Sequence, residues 1–336
     1  MKTTFQPIHF DLDINSFSLY LNAVGGHSLF IEISPQYLIK SSNENEINFY
    51  SLTHNNFKFN YYPKFLGIIS QGTEQFEIIE NYVFQCKIFF KNFILKMNIK
   101  SEDINIENDI KFNSIFETFI QENFQNIQIN SSFNKLEKRL VNYYKNSRNK
   151  LKWILFSFLK WNNSFLNNNF IIMKNLTFNM VNPAILDIKL GTSPKISKEN
   201  NLIKNYDGAH KEIGCRIMGI QKGNVFKHRY NTKNYSLNEF KEEISLFFKN
   251  NHELINNTID EALNIISEII IKVKFNIKFS SLLLCYDESN KYNKVYANLI
   301  DFTFVGEDSK SNNNINKDLI SSIKNFVFIL NEFQTK

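Results

Sequence analysis

The sequence has little cysteine, and its three cysteines form no recognisable pattern. Cys86, Cys215 and Cys285 are odd in number and far apart, so they give neither a disulfide framework nor the spacing of a zinc site. A reducing environment is therefore the default expectation. We expect an intracellular location, in the cytoplasm, the nucleus or both.

Long apolar runs are also missing from the chain. The longest, such as residues 153–159, are far too short to cross a bilayer, so no membrane span is expected. The first residues, 1–4, open no apolar signal segment.

Several motifs of nucleotide and metal chemistry are absent. The chain contains no Gly-x-x-x-x-Gly-Lys-Ser/Thr loop, no Gly-x-Gly-x-x-Gly loop and no His-Arg-Asp catalytic loop. No His/Cys cluster has metal-ligand spacing, and the six histidines are scattered. His210 and His228 are expected to be surface or packing residues rather than catalysts.

The charge balance favours an acidic ligand. The 336 residues carry a formal net charge of +6, which suits nucleic acid, an anionic membrane surface or a phosphorylated small molecule. Lysines and arginines are spread without a long basic run, so we expect no nucleic-acid partner. The length exceeds the usual single-domain size and predicts two lobes or two domains.

The first part of the chain reads mainly as short strands. Apolar and polar residues alternate over 16–24 and 28–33, with Gly25-Gly26 between them, which predicts a hairpin. A third strand follows at 37–40, and a helix is predicted from Asn43 through Tyr50. Further strands are predicted at 65–69, 75–79 and 170–173. Residues 82–99 fit either a strand or a helix, 121–132 fit a loop, and 133–161 predict the longest helix.

The second part predicts alternating strands and helices. Strands are expected at 183–190, 213–220, 225–230, 279–286 and 295–305, and helices at 237–249, 253–273 and 317–333. A lysine-dotted irregular segment follows Gly191.

The centre of the pattern is a buried strand that carries two opposite charges. Asp187 and Lys189 are two residues apart within residues 183–190, so their side chains point to the same face. An acid and a base inside an apolar strand are costly unless they pair or serve a function. Taken alone, these two residues favour a buried structural ion pair.

The sequence around Asp187 and Lys189 resembles the motif of a known family. Pro183-x-x-x-Asp187-x-Lys189-x-Gly191 is similar to the Pro-x-x-x-Asp-x-Lys-x-Gly motif of the inositol polyphosphate kinases. Other motifs of that family follow in its order: Gly25-Gly26-His27, Lys40, Glu46-x-x-Phe49-Tyr50, Pro63-x-Phe65-x-Gly67, Gly214-x-Arg216-x-x-Gly219, Ser280-Ser281-Leu282-Leu283 and Ile300-Asp301-Phe302. Within the family, the chain looks most like the inositol hexakisphosphate kinases.

The resemblance implies an α+β class and a two-lobed inositol-phosphate-kinase fold, similar to protein kinases and ATP-grasp proteins. Residues 1–174 would form a small N-terminal lobe with an antiparallel sheet and a helix. Residues 175–336 would form a larger lobe with a sheet and helices. Residues 72–145 lie outside the resemblance and read as an insertion that packs on the small lobe or binds a partner.

The resemblance also implies roles for named residues, with ATP and Mg²⁺ as cofactors. Lys189, Asp187 and Asp301 would be catalytic, and Asp301 would hold the metal between phosphates. Asp187 would contact the nucleotide ribose. The other nucleotide-binding residues implied are Lys40, Glu46, Gly25, Gly26, Met173, Lys174 and Leu176. An inositol polyphosphate would bind Lys189 and a basic pocket formed by Lys195, Lys198, Lys204 and Lys211, although each of the four fits a solvated loop equally well.

Three functions stay open at this point. The first is phosphoryl transfer to an already phosphorylated position, which gives a pyrophosphate. The second is a multikinase acting on hydroxyl groups, and the third is an inositol-phosphate-binding scaffold that has lost turnover. Phe304 stands where relatives carry a basic or His residue near the acceptor. An ionised phosphate acceptor needs no general base, so this departure favours the pyrophosphate-forming enzyme.

Overall fold

The structure is a computed structural model that describes residues 12–24, 30–56, 59–106, 110–122, 132–162, 169–192, 195–196, 203–204, 208–273, 275–289, 294–306 and 316–334. The chain divides into two compact units. Unit 1 comprises Met1–Asn43 and Lys64–Asn175, and unit 2 comprises Glu44–Pro63 and Leu176–Lys336. The units differ from the predicted lobes in two respects, because residues 44–63 belong to unit 2 and Asn175 belongs to unit 1.

Unit 1 contains a five-stranded antiparallel sheet. Its strands are β1 (Ser18–Tyr20), β2 (Phe30–Ser34), β3 (Tyr37–Ser42), β4 (Phe65–Ile69) and β5 (Asn169–Lys174), in the order β1-β2-β3-β5-β4. Residues of β2 alternate between buried and half-buried, as the sequence pattern predicts for a strand with one covered face. Gly25 and Gly26, the predicted turn, lie outside the described residues.

Five helices of unit 1 occupy most of the region from residue 74 to residue 162. They are α2 (Glu74–Lys96), α3 (Ser101–Ile104), α4 (Ile110–Gln121), α5 (Ser132–Asn146) and α6 (Arg148–Asn162). The strand predicted at 75–79 is wrong, because these residues form the first turns of α2. Thr73 caps that helix by accepting a hydrogen bond from the Phe76 amide, and Glu74 and Glu77 oppose the helix dipole.

The predicted insertion packs against the small sheet. The ring of Phe76 on α2 lies 5.4 Å from that of Phe170 on β5, and Tyr82 contacts Phe17 edge-on at 5.3 Å. The single helix predicted over 133–161 is instead two helices, which meet at Ser147. Serine is favoured at the start of a helix, and the Ser147 carbonyl accepts the first hydrogen bonds of α6.

Unit 2 contains a second five-stranded antiparallel sheet. Its strands are β6 (Pro183–Leu190), β9 (Cys215–Lys222), β10 (Val225–His228), β12 (Ser281–Asp287) and β13 (Tyr296–Ile300), in the order β10-β9-β6-β12-β13. Two short ladders accompany it: β7 (Lys195–Ile196) with β8 (Ile203–Lys204), and β11 (Asn276–Lys278) with β14 (Phe304–Gly306). The strand β6 lies at the centre, as its apolar sequence predicts.

The longer helices of unit 2, such as those at 237–248, 252–272 and 317–332, each bury a series of apolar residues. The helices of unit 2 are α1 (Glu44–Asn56), α7 (Gly208–Ile213), α8 (Arg229–Thr232), α9 (Leu237–Phe248), α10 (His252–Lys272) and α11 (Lys317–Glu332). The start of α9 is a reciprocal cap in which Ser236 and Glu239 each bond the other's backbone amide. The predicted helices at 237–249, 253–273 and 317–333 are confirmed, and so is the α+β class. Among the described helices, none has both the length and the apolarity to cross a membrane.

Candidate functional site

The site is built on the middle strand of the unit 2 sheet. In β6, Asp187 is paired across the ladders with Leu283 and Gly219, and Lys189 with Ser281 and Arg216. Every residue of the strand from Ala184 to Leu190 is buried except Lys189, which is half-buried. The rigid centre of the sheet therefore fixes where both charged side chains begin.

A short ion pair joins this strand to the end of β13. The Lys189 Nζ lies 2.6 Å from Asp301 Oδ2, although the two residues are 112 positions apart. The side chain of Lys189 is 14% exposed and that of Asp301 is 41% exposed, so the pair faces solvent from the Asp301 side. The second carboxylate oxygen, Oδ1, accepts a hydrogen bond of 2.6 Å from the Thr303 hydroxyl. The structure thus brings together two of the three predicted catalytic residues.

Asp187, the third predicted catalytic residue, lies in the same charged cluster. Its side chain is buried, and burial raises the pKa of its carboxyl from 3.8 to about 6. Lys189 and the Ser281 hydroxyl oppose that rise, whereas the negative charge of Asp301 adds to it. Among the described residues, none donates a hydrogen bond to Asp187 Oδ1, which is an unusual condition for a buried oxygen.

This raised pKa gives a testable pH dependence. The fold favours the neutral carboxyl of Asp187. The contribution of this carboxyl to the free energy of unfolding is therefore present below pH 4 and is lost as the pH rises through 6. Asp187→Asn should therefore gain stability relative to the native chain by ~3 kcal/mol between pH 4 and pH 7. Urea unfolding followed by circular dichroism at several pH values measures it. A stability difference that stays constant with pH would contradict the raised pKa.

Arg216 is a charged neighbour to which the sequence analysis gave no role. It lies on β9 directly opposite Lys189. Its positive charge opposes the rise in the pKa of Asp187 that burial causes, and it adds to the fall in the pKa of His210 that burial causes. The signal was present in the Gly214-x-Arg216-x-x-Gly219 motif. Arg216 adds a cation to the cluster, which makes the site suited to a ligand with several negative charges.

The turn after β6 is held by α11. The Gly191 amide lies 3.1 Å from the Ser322 hydroxyl oxygen, and the Thr192 amide and hydroxyl both donate to the Asp318 carboxylate. Gly191 has a φ of +100°, which glycine adopts without strain. The positive φ explains why the motif ends in glycine. The contacts of this turn with Asp318 and Ser322 were not predicted.

The two noted histidines pack inside unit 2. Both are buried, and burial is the main reason why the pKa of each falls to about 4. His210 Nε2 lies 2.6 Å from the Gly191 carbonyl oxygen, so it supports the turn after β6. The prediction that they are packing residues agrees with these contacts.

The helix α1 packs on the segment that carries Asp301. The Phe49 ring stacks on that of Phe302 at 3.7 Å and 11°, and Tyr50 contacts the same ring edge-on at 5.7 Å. Glu46 is buried on this helix. Burial raises the pKa of the Tyr50 hydroxyl, and the negative charges of Glu46 and Asp301 add to that rise. Glu46 and Asp301 therefore belong to one packed region of unit 2.

The remaining predicted nucleotide-binding residues lie on defined elements, but their roles are untested. Lys40 is a half-buried residue of β3 in unit 1, opposite Phe30 and Ile171, and its role in nucleotide binding stays a prediction. Met173 is buried on β5, and the exposed Lys174 donates its amide to the Lys64 carbonyl. Leu176 begins the second segment of unit 2.

The predicted basic pocket is described only in part. Lys195 and Lys204 are cross-strand partners in the β7–β8 ladder, and Lys211 is exposed on α7. Lys198 lies outside the described residues. The basic pocket formed by the four lysines therefore stays a prediction.

The donor set suits one divalent cation shared with a ligand. Within the residues described, no group of three or more His, Cys, Asp or Glu side chains is arranged to hold a metal by itself. Asp187 and Asp301 are close enough for one charge to shift the pKa of the other, and Asp187 keeps a buried oxygen without a donor. Carboxylate oxygens are the ligands of Mg²⁺, which typically binds one or two of them together with phosphates. The site therefore suits a divalent cation, for which Asp301 is the more exposed carboxylate.

Comparisons with known proteins agree with these motifs. The family model described as Inositol polyphosphate kinase matches residues 170–331. Inositol hexakisphosphate kinase 2 from Oryctolagus cuniculus and its counterpart from Homo sapiens are each 30% identical to the chain over 134 residues. That match covers 35% of the chain and 32% of each relative, so the chain spans about a third of their length.

Two solved structures also resemble the chain. The inositol phosphate multikinase Ipk2 from S. cerevisiae, solved with ADP and Mn²⁺, is 16% identical, with a TM-score of 0.40. It covers 50% of this chain and 84% of its own. A second inositol phosphate multikinase is 15% identical over 48% of this chain and 84% of its own, with a TM-score of 0.39.

Proposed function

We propose that the chain is a member of the inositol polyphosphate kinase family, whose model matches residues 170–331, and that it transfers a phosphoryl group from Mg-ATP to an inositol polyphosphate. The observation that carries the proposal is the ion pair of 2.6 Å between Lys189 and Asp301, beside the buried Asp187. One amine, one guanidinium and two carboxylates in a small region meet the needs of phosphoryl transfer, which are positioning and neutralisation of charge.

The proposed roles follow from the chemistry of each group. Lys189 holds the transferred phosphoryl group and stabilises the charge on its equatorial oxygens. Asp301 would hold Mg²⁺, which would neutralise negative charge on the phosphates. Asp187 contacts the nucleotide ribose, and Lys40 binds the α- and β-phosphates. Arg216, opposite Lys189, offers a bidentate contact to a phosphate of the acceptor.

The finer proposal is that the acceptor is inositol hexakisphosphate and that the product carries a pyrophosphate. The curated relatives that match are named inositol hexakisphosphate kinases. In addition, the residue directly after Thr303 is Phe304. Its side chain is 38% exposed and has no group that could accept a proton. An acceptor that is already an ionised phosphate needs no general base, whereas a hydroxyl acceptor does.

The experiment is an acceptor panel. Purified protein is incubated with Mg-ATP and inositol phosphates from the trisphosphate to the hexakisphosphate, and the products are separated by chromatography. A product more acidic than hexakisphosphate supports the finer proposal. Phosphorylation of lower inositol phosphates without a pyrophosphate product supports a multikinase instead.

A binding scaffold is the alternative from another functional class. It would bind inositol polyphosphates, bind Mg-ATP weakly, give no product with any acceptor and tolerate Asp301→Asn. Calorimetric titration of the native chain and Asp301→Asn with Mg-ATP separates this scaffold from the enzyme.

We further propose an intracellular location, in the cytoplasm, the nucleus or both. The three cysteines are all buried and unpaired by disulfides, which agrees with a reducing compartment. Fluorescence microscopy of the tagged chain in its own cells tests the location.

A further inference from the structure

We propose that Thr303 is a positioning residue that fixes the Asp301 carboxylate for Mg²⁺. The proposal rests on the proposed function, because it gives Thr303 a part in the metal chemistry of Asp301. No motif of the sequence analysis assigned a role to Thr303.

The contact is specific in its geometry. Thr303 Oγ1 donates to Asp301 Oδ1 at 2.6 Å, while Lys189 Nζ donates to Oδ2, also at 2.6 Å. Each oxygen of the carboxylate thus has its own donor, so the plane of the group is defined from both sides.

The backbone at this point makes such a support useful. Asp301 directly follows the last residue of β13 and has a φ of +66°, a left-handed conformation that is uncommon for a residue with a side chain. Residues held in such conformations persist only where their surroundings fix them. The surroundings must therefore hold Asp301 in place, and the hydrogen bond from the Thr303 hydroxyl is one of those contacts.

Thr303 is itself held on both sides. Its carbonyl oxygen lies 3.3 Å from Asn45 Nδ2 at the start of α1. Phe302, which precedes it, is stacked on Phe49 of the same helix, and the β14 strand begins directly after it at Phe304. The hydroxyl is therefore presented by a fixed backbone rather than by a freely moving loop.

The Thr303 contact also differs from the Lys189 contact in what catalysis requires of it. In the proposed reaction Lys189 binds the transferred phosphoryl group, so its amine must divide its hydrogen bonds between Asp301 and the nucleotide. The Thr303 hydroxyl has no such second task. It can keep Asp301 oriented while Lys189 moves toward the phosphate.

The test measures metal affinity directly, with Mn²⁺ as the probe. Electron paramagnetic resonance titrations with Mn²⁺ in the presence of ADP compare the native chain with Thr303→Val, Thr303→Ser and Asp301→Asn. Groups that orient metal ligands typically contribute 10- to 100-fold to affinity. We expect Thr303→Val to weaken Mn²⁺ binding about tenfold, and Thr303→Ser, which keeps the hydroxyl, to stay within about twofold of the native chain.

The variants separate two ways of failing. If Asp301→Asn abolishes binding but Thr303→Val binds Mn²⁺ as tightly as the native chain, the role of Thr303 is overturned while the metal role of Asp301 stands. If Asp301→Asn itself binds like the native chain, both are overturned. A role limited to stabilising the turn predicts that Thr303→Val lowers the unfolding temperature without changing Mn²⁺ affinity, which would also overturn the proposal.

Discussion

Lys189→Ala should lower kcat for phosphoryl transfer about a thousandfold with whichever inositol phosphate proves to be the substrate. Removing one preorganised donor from a developing negative charge typically costs 10²- to 10³-fold, and Lys189 carries a full positive charge. The substitution also removes the partner that lies 2.6 Å from Asp301 Oδ2. Asp301 is 41% exposed, so water can solvate its carboxylate and the fold should survive. Steady-state kinetics with the best acceptor of the panel measures the effect.

Lys241→Ala is the matched control for this prediction. Lys241 also forms an ion pair of 2.6 Å in unit 2, with Glu332, but it lies on α9 and has no part in the site. It should change kcat by less than about twofold, since partly exposed ion pairs contribute little. Equal kcat values for Lys189→Ala and the native chain would exclude Lys189 from the chemistry. If neither the native chain nor Lys189→Ala gives a product with any acceptor, the proposal that the chain is an enzyme is overturned.

The strand that carries the site could be predicted because its apolar sequence fits a strand buried on both faces. An apolar run from Ala184 to Leu190 interrupted by two charges fits the middle of a sheet, and β6 lies there. That Lys189 and Asp301 belong to one site was implied only by the family resemblance, and their ion pair was not predicted. Periodicity defines an element and the face it buries, but it does not define which distant element packs against it.

The first helix shows the same limit. The helix from residue 43 onward follows from Asn43 and the acidic residues after it, which are local signals. Its assignment to the N-terminal part assumed that sequence neighbours stay together. The structure places it in unit 2, where Phe49 stacks on Phe302, and nothing within the helix itself specifies that partner.

The misassigned strand at 75–79 has a different cause. Five residues are too few to distinguish a period of 2 from a period of 3.6 when apolar residues are frequent. The longer series Phe76, Ile79, Val83, Phe90 and Ile94 is buried along one helix, at spacings that fit the helical period. Thr73, whose hydroxyl oxygen accepts a hydrogen bond from the Phe76 amide, is the local signal for the start of this helix.

Gly214→Ala should destabilise the fold by about 4 kcal/mol and disturb the site with it. Gly214 has a φ of +70°, and a Cβ there would lie 2.2 Å from the Ser322 hydroxyl oxygen and 3.1 Å from the Thr192 methyl carbon. A left-handed alanine costs ~1–2 kcal/mol, and overpacking typically adds ~1–3 kcal/mol. Ser322 must shift, although its hydroxyl contacts the Gly191 amide at the end of β6. Urea unfolding followed by circular dichroism measures the loss.

Gly72→Ala isolates the part of this effect that comes from crowding. Gly72 has a similar φ of +76°, but no atom lies within 4 Å of the position that a Cβ would take. It should therefore lose only the backbone contribution of ~1–2 kcal/mol. The additional loss for Gly214→Ala reports the close approach of α11 to the turn that follows β6. Equal losses for the two alanines would mean that Ser322 rotates away without cost and that α11 does not hold the turn tightly.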